Sequence, residues 1–91
     1  MTSWTITQKP AYVSDFVDLS KDLQRKVVNA LFELEEDAIT PRGDTIKKLS
    51  GYKNLWRYRL GDFRLIYAAD LASRMINLLA IGPRGSVYER F

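Results

Sequence analysis

Leu55-Trp56-Arg57-Tyr58-Arg59-Leu60-Gly61-Asp62-Phe63-Arg64-Leu65-Ile66-Tyr67 alternates in period two on both sides of a Gly-Asp pair. Such alternation marks two half-buried strands, and a two-residue connection with glycine first suits a type II′ hairpin turn. A turn of that length pairs Leu60 with Phe63, and stepping outward pairs Arg59 with Arg64 and Tyr58 with Leu65. Paired residues share a face. Trp56, Tyr58, Leu60, Phe63, Leu65 and Tyr67 therefore make one apolar, aromatic face, and Arg57, Arg59 and Arg64 fall on the other.

Upstream, Trp4-Thr5-Ile6-Thr7 alternates as a short first strand that ends before Pro10. Pro10 suits the first turn of a helix, and Val13, Phe16 and Val17 recur at helical spacing as far as Leu19. Ser20 then caps a longer helix whose stripe is Leu23, Val27, Ala30, Leu31 and Leu34. Thr40-Pro41-Arg42-Gly43-Asp44 is a loop by composition, and Gly51 marks the change to period two. Downstream, Leu71-Ala72-Ser73 connects to Met75-Ile76-Asn77-Leu78-Leu79-Ala80-Ile81, a nearly continuous apolar run suited to a central strand buried on both faces. Gly82-Pro83-Arg84-Gly85 ends it. The expected fold is α+β: an N-terminal strand, a helical hairpin, then an antiparallel β-meander, forming one sheet packed on the helices.

At 91 residues the chain has room for a single domain, 1–91. It contains no cysteine and no histidine, which removes thiolate nucleophiles, disulfides, the usual zinc sites and imidazole acid/base chemistry together. Catalysis would have to use Arg, Lys, Tyr or carboxylates. No apolar run approaches the roughly 20 residues of a membrane span, and Met1-Thr2-Ser3-Trp4 lacks the pattern of a secretory leader, so a cytoplasmic location is the default expectation.

Charge is unevenly spread. Residues 1–46 hold five Lys/Arg against eight Asp/Glu, whereas residues 47–91 hold nine against three, so the second half is strongly basic. Such a half attracts phosphate chains or acidic protein partners, although a solvated charged surface would have the same composition. Three guanidinium groups on one sheet face repel each other unless an anion neutralises them, and the basic half supplies only Asp62, Asp70 and Glu89. Because a guanidinium fork matches phosphate and cannot lose its proton, phosphate binding or stabilisation of a phosphoryl transition state is expected there.

From Lys48-Leu49-Ser50-Gly51-Tyr52-Lys53-Asn54 through Leu55–Tyr67 the sequence resembles the core motif of RelE/ParE toxins, and Gly82-Pro83-Arg84-Gly85-Ser86-Val87-Tyr88 resembles the ending of the RelE branch. The likeness spans nearly the whole chain. It implies a metal-independent endoribonuclease that cuts mRNA in the ribosomal A site using the RNA 2′-OH, with no small-molecule cofactor and no membrane. Its partners would be the ribosome, mRNA and a cognate antitoxin that blocks the cleft. The family's basic pair falls on Arg57 and Arg59, its hairpin arginine on Arg64, its late arginine on Arg84 and its tyrosine on Tyr88. By that likeness Arg64 stabilises the phosphorane, Arg84 assists departure of the 5′ oxygen, and Tyr88 stacks on a base. Tyr88 could equally pack as an ordinary aromatic. Lys47, Lys48 and Lys53 would steer phosphate or line a solvated edge.

One departure concerns the base. The family's basic pair typically includes lysine, whose pKa can be lowered, whereas arginine holds its proton at any working pH. Glu89 is the alternative acceptor by position. A ParE-like inhibitor of DNA gyrase and a non-catalytic RNA- or protein-binding module of a larger protein are the competing expectations.

Overall fold

The computed structural model describes residues 3–91. β1 (Thr5–Gln8) leads into α1 (Pro10–Val17) and α2 (Lys21–Glu36), followed by β2 (Ile46–Lys48), β3 (Leu55–Leu60), β4 (Phe63–Asp70), β5 (Met75–Pro83) and a 3-10 helix (Val87–Arg90). The five strands form one mixed sheet in the order β1-β5-β4-β3-β2. β1 runs parallel to β5, and every other neighbour is antiparallel. No helix among the described residues is long and apolar enough to cross a membrane.

The hairpin has the expected register, with Leu60 opposite Phe63, Arg59 opposite Arg64 and Tyr58 opposite Leu65. Gly61 takes φ 63 and Asp62 does not share the left-handed region, which is the pattern of a type II′ turn. On the apolar face Trp56, Tyr58, Leu60, Leu65 and Tyr67 are buried, joined by Val27, Ala30 and Leu34 of α2 and Tyr12 of α1. Ser20 caps α2 by accepting from the Leu23 N–H at 3.2 Å.

Three expectations change in the folded chain. In α1 the buried side chain is Tyr12, stacked toward Phe16, while Val13 and Val17 face outward. Only one side of so short a helix meets the sheet, and its aromatic residues occupy that side. The sheet gains an edge strand, β2, beyond β3, which the loop-like composition around Gly43 and Gly51 hides, while β5 is interior between β1 and β4 as expected. The first strand begins at Thr5, with Trp4 just outside it, buried and donating its N–H to Glu35 O at 2.9 Å.

β5 is covered on both faces, by means of a bulge. Ile66 pairs with Ala80 and Tyr67 with Leu78, so Leu79 is the extra residue. The slip lets Ile76, Leu78 and Ile81 all serve the main core, while Ala80 joins Ile66 and Val87 in a small second cluster on the opposite face, with Leu49, Leu79 and Tyr88 packed against it. The 3-10 helix thus lies on the arginine side of the sheet.

Candidate functional site

Cross-strand pairing organises the arginine side into two rows. Lys47, Arg57, Ile66 and Ala80 form one, and Arg59, Arg64 and Gly82 form the next. Lys48 lies opposite Trp56 and so belongs to the other face by register. Lys53 is exposed in the loop before β3. Of the three lysines, only Lys47 enters the basic cluster.

The arginines of this face do not simply converge. The Arg57 side chain, 12% exposed, donates Nη1 to Asp44 O at 2.9 Å and Nη2 to Asp44 Oδ1 at 3.3 Å. Arg59, 45% exposed, donates Nη1 to Asp44 Oδ2 at 2.8 Å. Lys47 Nζ lies 3.2 Å from Asp44 Oδ1. Asp44 therefore neutralises the very residues for which the basic half of the sequence offered no carboxylate. It stands in the tight turn before β2, where Thr45 N–H donates to Arg42 O at 2.9 Å and Arg59 N–H to Thr45 O at 2.8 Å. Lys47 first, then Arg57, hold its carboxyl below the ordinary aspartate range. The anion that this face requires thus comes from the first half of the chain, outside the basic half where carboxylates are scarce. The residue was legible as part of a loop, but its role needed β2 to be recognised as an edge strand beside β3.

Arg64 is buried and curls back over the hairpin, its Nη1 donating to Gly61 O at 2.6 Å and Phe63 O at 2.9 Å. Turn carbonyls fix the guanidinium without a carboxylate, so its charge is oriented but not cancelled. The same turn receives the end of β5: Arg84 N–H donates to Asp62 O at 2.9 Å. Arg84 is exposed there. Gly82, opposite Arg64, favours close approach, because a Cβ at that position would stand 3.2 Å from Val87 Cβ, a tight contact. That approach seats the 3-10 helix and brings Tyr88 onto the sheet, half-buried, with Glu89 outward beside it.

A further clamp holds this corner. Arg90 donates Nη1 to Asp15 Oδ2 at 2.7 Å and Nη2 to Asp15 Oδ1 at 3.1 Å, and the Ile81 N–H donates to Asp15 Oδ2 at 2.9 Å. β1 pairs with β5 only as far as Leu78, so beyond it the outer edge of β5 lacks a strand partner and α1 supplies the acceptor instead. Nothing in the spacing of Asp15 and Arg90 announced this contact. On the far side of the sheet, Arg42 pairs with Glu33 and lies 5.9 Å from the Tyr58 ring centroid.

A strand, a helical hairpin and a meander that gathers arginines on its open face, closed by a short turn carrying a tyrosine, define a class of small α+β toxins. The chain matches, over residues 6–88, the family model described as ParE toxin of type II toxin-antitoxin system, parDE. It belongs to that family, within the RelE/ParE superfamily, and is a toxin of a toxin-antitoxin system. Among solved structures it is similar to the archaeal RelE-RelB complex from Pyrococcus horikoshii OT3, at 30% identity and TM-score 0.79, covering 96% of this chain and 100% of that one. It also resembles Escherichia coli toxin RelE, solved free as a double arginine-to-alanine mutant, at TM-score 0.81 and 16% identity, covering 97% and 93% of the two chains. The RelBE2 complex from Mycobacterium tuberculosis matches at TM-score 0.76 and 20% identity, covering 91% and 100%. The last two likenesses concern the fold alone. No curated protein sequence matches significantly.

Proposed function

We propose that the protein is a ribosome-dependent mRNA endoribonuclease, acting in the cytoplasm and held inactive by a cognate antitoxin. The observation that carries this reading is the corner where Arg64 and Arg84 meet the hairpin turn, beside the 3-10 helix that bears Tyr88. An RNA strand laid across the Arg59–Arg64 row meets a fixed guanidinium at the phosphorus, an exposed one beyond it and an aromatic face beside it. The substrate supplies the nucleophile. Its 2′ oxygen bonds to the adjacent phosphorus as its proton leaves, the P–O5′ bond breaks, the 5′ oxygen takes a proton from water, and the products are a 2′,3′-cyclic phosphate and a 5′-hydroxyl. Arg64 stabilises the charge on the phosphorane oxygens, and Arg84 the charge on the departing 5′ oxygen. Glu89, exposed next to Tyr88, is the candidate acceptor for the 2′-OH proton. Antitoxin binding is supported by the similarity to RelE-RelB complexes.

The test is a translating cell-free system in which new mRNA 5′ ends are mapped with the wild type and with Arg64→Ala/Arg84→Ala. Codon-phased cuts that disappear in the double variant are expected, with a loss of about 10³-fold or more when both charges are gone. Undiminished cutting by a folded double variant would remove the site assignment. Because the matching family model is the ParE one, gyrase inhibition is a second reading. It predicts lost supercoiling activity with intact mRNA.

A further inference from the structure

The carboxylate of Asp44 lies among donors that would otherwise face a ligand. Both of its oxygens are engaged, by Arg57 Nη2 and Lys47 Nζ on one side and Arg59 Nη1 on the other. A carboxylate and a phosphate group accept from guanidinium forks in the same geometry, so either anion can satisfy these donors. Asp44 is 59% exposed, which leaves its ion pairs screened by water and individually weak. The turn that carries it is anchored through its main-chain carbonyls, Thr45 O accepting from Arg59 N–H and Asp44 O from the Arg57 side chain through Nη1. The side chain can therefore swing away while the turn and Arg57 stay in place.

We infer that Asp44 is an internal anion occupying the phosphate position of this face, and that it sets specificity by admitting only a ligand able to displace it. A phosphodiester chain does so because successive phosphates reach the Arg59–Arg64 row as well as Arg57 and Lys47. A single small anion meets a tethered competitor whose effective concentration is high. The inference rests on the RNA reading above only for the identity of the ligand.

Asp44→Asn keeps the shape and removes the charge. Binding of a fluorescein-labelled single-stranded RNA is measured against wild type, with Asp22→Asn as a control that changes net charge equally on the exposed first turn of α2, where it pairs with Arg25. The expected result is about tenfold tighter binding by Asp44→Asn with a steeper salt dependence, and a change within about twofold for Asp22→Asn. Inorganic phosphate is titrated in parallel, with the thermal midpoint as readout, and should stabilise Asp44→Asn more than wild type. If phosphate discriminates the two proteins but neither binds RNA, the internal anion stands and the ribonuclease reading falls. Where RNA is bound, equal or weaker binding by Asp44→Asn overturns the inference, and so does a phosphate response no different from that of wild type: Asp44 would then only position the arginines.

Discussion

Replacing Asp15 by alanine removes two interactions of different worth, and the structure allows each to be weighed. The Arg90 pair joins a side chain 44% exposed to one 17% exposed, so losing it costs about 0.5–1 kcal/mol, and Arg90 is free to turn to water. The Ile81 N–H belongs to a buried residue on an edge of β5 that β1 does not reach, and stranding it costs about 1–3 kcal/mol. Together they predict a loss of about 1.5–4 kcal/mol, a drop of roughly 6–32 °C in thermal midpoint for a domain of this size. Arg90→Ala removes the pair but leaves the Ile81 bond, and should cost only about 0.5–1 kcal/mol. Urea unfolding of both variants, followed by circular dichroism, separates the two terms. Equal destabilisation by Asp15→Ala and Arg90→Ala would refute the view that edge satisfaction of β5, rather than the ion pair, is the main contribution.

Tyr67→Phe should lower stability by about 1–2 kcal/mol in the same assay, since the buried Tyr67 hydroxyl donates to Ala38 O at 2.8 Å and the carbonyl would lose its partner. Acid stability tests the Glu33 pair. Its hydrogen bond with Arg42 holds the carboxyl below its ordinary value of 4.5, so the stabilisation is complete above that value and disappears as the pH falls through the lower folded one. The stability gap between wild type and Glu33→Gln should be present at about pH 7, small because solvent screens the pair, and close further toward about pH 3. A gap that widens in acid would contradict the assignment.

The hairpin was legible because its information is local: a two-residue turn fixes the register, and alternation fixes the faces, which is enough to put Trp56, Tyr58 and Leu65 in the core. The longer helix was equally legible from Ser20 and its apolar stripe. The short helix was legible as a helix but not in its buried side, since Val13 and Val17 match the helical period as well as Tyr12 and Phe16, and only contact with the sheet chooses between them. Of the site, alternation puts Arg57, Arg59 and Arg64 on one face, as the register has them, but does not reveal what their guanidinium groups touch.

By itself, the sequence determined the α+β order of elements, the basic meander and the want of any thiol or imidazole for chemistry, because composition and periodicity are properties of neighbouring residues. Tertiary structure alone decided that Asp44 sits among Lys47, Arg57 and Arg59, that turn carbonyls orient Arg64, and that Asp15 completes β5 while tying down the helix that carries Tyr88. The Asp44 and Asp15 contacts join residues from separate elements, whereas Arg64 bonds within its own hairpin. Their meeting depends on an edge strand, a bulge and a glycine-permitted close approach, and side-chain charge is matched only once those have brought the partners within reach.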